Sequence, residues 1–72
     1  MEIPELFRAV VEGLRLFSVT EKCAICIMFL LKTEDQELAM LDWITAQIDN
    51  NKIPTENECL EQAARITQNY SK

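Results

Sequence analysis

Histidine is absent from these 72 residues, glycine occurs once and proline twice. Without imidazole there is no ordinary general base near neutral pH, and one glycine cannot build a loop that cradles phosphates. No pair of carboxylates is set in an apolar run either, so the residues read as those of a protein that is not an enzyme. Basic side chains are also scarce, seven against twelve acidic ones, for a formal net charge of −5. Such a surface is repelled by phosphate backbones and anionic lipid, so neither nucleic acid nor membrane is the expected partner.

Long apolar runs are missing too. The most apolar stretch, Cys23 to Leu31, is nine residues bracketed by Lys22 and Lys32, whereas a membrane span needs about twenty. Residues 1–5 carry Glu2 and Glu5 in place of the basic start of an export signal, so a cytoplasmic setting is expected. Three cysteines fit reduced thiols better than a disulfide framework.

What is present is a chain that should fold: 49% of the residues are hydrophobic and 26% charged, an ordinary globular balance. At this length it forms one domain, residues 1–72, and a core of that size leaves only about 3–5 kcal/mol of net stability. Self-association is one common way for so small a chain to gain more.

The local signals are helix punctuation. Ser18 with Glu21, Thr33 with Gln36 and Thr55 with Glu58 have capping-box spacing, in which an N-cap hydroxyl and a side chain three residues on satisfy each other's free N–H groups. Pro4 followed by Glu5 suits a fourth start. An all-α domain is expected, with helices at about 4–17, 19–32, 34–49 and 56–70.

Helix one sets Ile3, Leu6, Phe7, Val10, Val11, Leu14 and Phe17 on one stripe and Glu5, Arg8, Glu12 and Arg15 on the other side. Gly13 lies inside it at a cost of about 1 kcal/mol against alanine, for which close packing by a neighbour is the expected reason. Helix two is apolar in every direction and is expected at the centre of the array, with the other three covering most of it and part of its circumference left for a second subunit. Helix three groups Leu38, Leu41, Ile44, Thr45 and Ile48, with Met40 and Trp43 widening the arc, and helix four groups Cys59, Leu60, Ala63, Ala64, Ile66, Thr67 and Tyr70. Lys32 and Thr33 leave room for little more than a corner between helices two and three, with one continuous helix as the rival. The Asp49–Pro54 stretch is the one evident loop and should turn helix four back antiparallel to helix three.

Cys23 and Cys26 form a Cys-x-x-Cys pair, and a thiolate at Cys23 would be favoured by a helix N-terminus. No strand precedes the pair and its surroundings are apolar, so core thiols are the preferred reading over a redox pair. Adding Cys59 gives three thiolates, one ligand short of a structural zinc site, so no metal and no cofactor are expected. A helix-turn-helix DNA reader built on helices three and four is the other alternative. Its second helix opens with Glu56, Glu58 and Glu61, with Arg65 the one base nearby, which opposes phosphate contact.

The function expected from the residues is therefore protein–protein interaction, with homodimer formation, in an accessory or regulatory factor of a bacterium or its phage. The candidate contact anchors are Met28, Phe29, Met40 and Trp43, chosen because large apolar side chains at the margin of a small core often centre a contact surface.

Overall fold

A computed structural model describes residues 4–70, apart from the side chain of Tyr70; Ile3 and that side chain, both assigned above to apolar stripes, lie outside the described residues. Four helices follow in order, α1 (Glu5–Leu16), α2 (Glu21–Leu30), α3 (Glu34–Asp49) and α4 (Glu56–Tyr70). The all-α reading holds. The bounds of α3 and α4 agree with those read from the sequence, while α1 is one residue shorter at each end and α2 two residues shorter at each end.

The capping chemistry explains the bounds. At α3 the Thr33 hydroxyl accepts from the Gln36 N–H and the Gln36 carboxamide oxygen accepts from the Thr33 N–H at 3.0 Å. That same oxygen takes the Lys32 N–H, so Gln36 is satisfied although buried. At α4 the Thr55 and Glu58 side chains make the reciprocal pair at 3.2 and 2.9 Å. Pro4 is the N-cap of α1, one position before the first helical residue, and its carbonyl accepts from the Arg8 N–H at 3.1 Å.

Ser18 does not cap α2. It has a φ of 62°, its N–H donates to the Arg15 carbonyl and the Val19 N–H donates to the Leu14 carbonyl. This is a Schellman motif that closes α1, with serine in the left-handed position usually held by glycine. Leu14 and Val19, its hydrophobic pair, are both buried. The N-cap of α2 is Thr20, whose hydroxyl accepts from the Cys23 N–H at 3.3 Å. Asn51, with φ 57°, closes α3 in the same way, through Asn51 N–H to Ile48 and Lys52 N–H to Gln47.

Between α2 and α3 the chain is extended, at φ −85°, ψ 105° for Leu31 and φ −124°, ψ 162° for Thr33. That breaks the helix at a corner and rules out the continuous alternative. The principal packing partners are α1 with α3, α2 with α4 and with α1, and α3 with α4. The core comprises Val10, Leu14, Phe17, Val19, Ala24, Ile27, Met28, Leu31, Met40, Ile44, Cys59, Ala63 and Ile66. Gly13 is buried, and a Cβ built on it would stand 2.6 Å from Cγ2 of Ile44. A side chain of α3 thus occupies the space that the missing Cβ leaves.

The other helices leave one side of α2 uncovered. Ala24, Ile27, Met28 and Leu31 face the core, but Ile25 and Phe29 are 53% and 76% exposed and Cys26 is exposed with them. The reason is geometric: the principal packing partners of α2 are α1 and α4, and two neighbours cannot cover the full circumference of a helix about 10 Å across.

Candidate functional site

The uncovered side of α2 is the wall of a groove. On α1, Phe7, Val11 and Arg15 recur every fourth residue and so form one row along the helix edge. On α2, Glu21, Ala24, Ile25, Met28 and Phe29 have the same three-and-four spacing and supply the opposite wall. Between them lies a cavity of about 420 Å³ whose lining is almost wholly apolar. Ala24 and Met28 are the buried members of its lining and Phe29 is the most exposed of its apolar ones.

Charge is confined to the end nearest the connection between the two helices. There the Arg15 guanidinium lies 3.5 Å from the Glu12 carboxylate and 3.6 Å from that of Glu21, with all three side chains more than half exposed. Exposed pairs of this kind contribute at most about 1 kcal/mol. Their effect here is to mark one end of an apolar trough with charge.

The four anchors expected from the sequence are separated by the structure. Met28 and Phe29 come together in the groove. Met40 is 0% exposed, so it packs the core and offers nothing to a partner. Trp43 is half-buried and meets Phe17 edge to face, with ring centroids 6.4 Å apart at 84°, the arrangement in which the positive ring edge meets the negative ring face. It closes the core as a lid. Phe7, Val11 and Ile25 belong to the groove and were not singled out. Ile25 lies one turn before Phe29, a spacing visible in the sequence, but the side of α2 left uncovered depends on where α1 and α4 pack.

No family model matches this chain. Neither a curated protein nor a solved structure matches it.

A second apolar surface lies near the C-terminal ends of α1 and α3, where Leu16, Ile48 and Ile53 are exposed around a cavity of about 300 Å³ shared with Phe17, Asn51 and Lys52. It is smaller and more mixed in polarity than the α1/α2 groove.

The thiols occupy three different environments: Cys59 buried, Cys23 half-buried and Cys26 exposed. Burial, reinforced by the nearby Cys23, Glu58 and Glu56, pushes the Cys59 thiol up to about 11. Burial also raises that of Cys23, with Glu56 and Cys26 adding to it. The helix N-terminus at Cys23 therefore does not prevail over desolvation, contrary to what a redox pair with a reactive thiolate requires. Among the described residues no three His, Cys, Asp or Glu side chains are grouped so as to hold a metal ion. Nor is any helix among them long and apolar enough to cross a membrane.

Proposed function

We propose that this chain is a non-catalytic protein-interaction module whose contact surface is the α1/α2 groove. The observation that carries this reading is the exposure of Phe29 and Ile25 on the rim of an apolar trough. Covering a large apolar side chain is worth about 1.5–3 kcal/mol, so two such residues one turn apart are a strong incentive to association. Contiguous apolar surface beside a groove is the usual seat of an apolar helix face or loop from a partner. An accessory or regulatory role in the cytoplasm, where the thiols stay reduced, accords with this surface and with the free cysteines.

Photo-cross-linking tests the reading. With benzoylphenylalanine replacing Phe29, and in a separate chain Ile53, both exposed by about three quarters, protein adducts should form in the native cell from position 29 and not from position 53. Equal adducts from both positions, or none from position 29, would overturn it.

A further inference from the structure

We infer that the corner between α2 and α3 is a hinge latched by Gln36, and that releasing the latch joins the two helices and lets two copies of this chain exchange their α3–α4 halves. The inference goes beyond the reading of the groove and does not depend on it, because both walls of the groove lie in the α1–α2 half.

The first argument is what the corner is made of. No glycine or proline stands between Phe29 and Gln36, so no helix breaker keeps α2 from running on into α3. The break is held by hydrogen bonds instead. The Gln36 carboxamide oxygen accepts the N–H groups of both Lys32 and Thr33, while the Thr33 hydroxyl accepts the Gln36 N–H. In a joined helix the N–H groups of Lys32 and Thr33 would pair with the carbonyls of Met28 and Phe29, four residues back. Gln36 is buried, and a buried amide has to keep its partners, so the corner and the enclosure of Gln36 are kept or lost together.

The second argument is where the core lies. The contacts of α1 with α3 and of α2 with α4 cross the corner, whereas those of α1 with α2 and of α3 with α4 lie within one half. Ile44 fills the space over Gly13, Trp43 meets Phe17 and the Glu56 carboxylate takes the Thr20 N–H, each from one half to the other. A joined helix from Glu21 to Asp49 would be about 43 Å long. The molecule measures only 31 × 30 × 21 Å, so one chain cannot straighten the corner and keep these contacts. Two chains can. The α3–α4 half of each copy packs on the α1–α2 half of the other, every cross-corner contact is remade, and the exchange closes on two copies.

The latch sets the balance between the two forms. While Gln36 holds both N–H groups the corner is favoured and the chain stays monomeric at micromolar concentration. Each exchanged dimer opens two corners, so removing the Gln36 carboxamide should raise the dimerisation constant about a hundredfold.

Sedimentation velocity on the full chain, refolded from urea at a series of concentrations, tests the inference, with far-UV circular dichroism as the control for folding. Gln36→Ala should give a dimer that persists on dilution, because undoing an exchange requires the core to open. Adding Lys32→Pro to Gln36→Ala should abolish that dimer. Leu31 already has the extended backbone that precedes a proline, so the corner accepts the change, whereas a joined helix does not. A Gln36→Ala chain that folds as a monomer overturns the inference, as does a dimer that dissociates within seconds of dilution, one that survives Lys32→Pro, or a parent that dimerises equally well. If Gln36→Ala does not fold, Thr33→Ala, which removes the hydroxyl side of the latch, decides in its place. A dimerisation constant raised about tenfold then supports the exchange, and an unchanged monomer overturns it. Cross-linking from position 29 is read separately from all of these outcomes, so the contact surface stands where the exchange fails.

Discussion

The Cγ2 methyl of Ile44 lies 2.6 Å from the point that a Cβ on Gly13 would occupy. The contact belongs to the α1/α3 pairing, and Ile44 is almost wholly buried, with a β-branched side chain that has little freedom to yield. Gly13→Ala gains about 1 kcal/mol in helix propensity but forces an overpacking cost of about 1–3 kcal/mol. The expected result in urea unfolding is a net loss of up to about 2 kcal/mol. Ile44→Ala alone should cost about 2–5 kcal/mol. The double variant should be more stable than the sum of the two losses, since Ile44→Ala removes the methyl that the new Cβ meets. A stabilised Gly13→Ala chain would show that α1 and α3 are not in such close contact.

The connection between α1 and α2 gives a second prediction, because the two readings of Ser18 differ in sign. As the left-handed residue of a Schellman motif, Ser18 bears a Cβ in a conformation that costs an ordinary residue about 1–2 kcal/mol. Ser18→Gly should therefore stabilise the chain by about 0.5–1 kcal/mol. Thr20→Ala removes the hydroxyl that accepts from Cys23 N–H and should cost about 1 kcal/mol. As an N-cap, Ser18 would instead lose stability on change to alanine, with Thr20→Ala nearly neutral. Urea midpoints of the three variants separate the cases.

Ser18 also shows what local sequence carries and what it does not. Thr33 with Gln36 and Thr55 with Glu58 were legible because both partners of each box lie within four residues and the helix ends there. Ser18 with Glu21 has the same spacing, but Ser18 is more useful as the terminator of α1, since Leu14 and Val19 both need the core. Gly13 was legible as a close contact, though not that Ile44 makes it. The groove was legible only in part. The all-round apolarity of α2 signals that the helix has more apolar surface than three short neighbours can hide, and Phe29 is where some of it emerges. Which side would emerge, and that Met40 would be enclosed while Trp43 closes over Phe17, depends on how four helices divide one small core.

The acid limb of stability should depend on Glu56. Its carboxylate accepts the Thr20 N–H at 2.6 Å, joining the first turn of α4 to the cap of α2. That hydrogen bond is the main reason the Glu56 carboxyl sits below its ordinary value of 4.5, with the small effect of burial acting the other way. A lowered folded-state pKa means that the native chain holds its proton less tightly than the unfolded chain. The stabilisation is present above about pH 4.5 and is lost as pH falls through the lower folded value. Glu56→Gln keeps an oxygen acceptor but not the charge. It should lower the melting temperature at neutral pH and make stability decline less steeply in acid. An acid limb as steep as that of the parent would assign the pH dependence to other carboxyls.

The three thiols should separate by reactivity. With Ellman's reagent at neutral pH, exposed Cys26 should react first, half-buried Cys23 more slowly, and buried Cys59 only as the chain unfolds. At higher pH, Cys59 should also affect stability. Its thiol is raised from 9.0 to about 11 by burial, so in the unfolded chain it ionises first. Its stabilising effect is complete below about pH 9 and is lost as pH rises toward about 11. Cys59→Ala should flatten the alkaline decline measured by urea midpoints, after correction for the small cavity it leaves. The same experiment decides the Cys-x-x-Cys question, because a working redox pair needs one thiol that outpaces ordinary cysteine at neutral pH. Burial acts on Cys23 in the opposite direction. Reaction of Cys23 ahead of Cys26 would mean that the helix N-terminus outweighs burial after all, and would restore the redox reading over that of a core thiol.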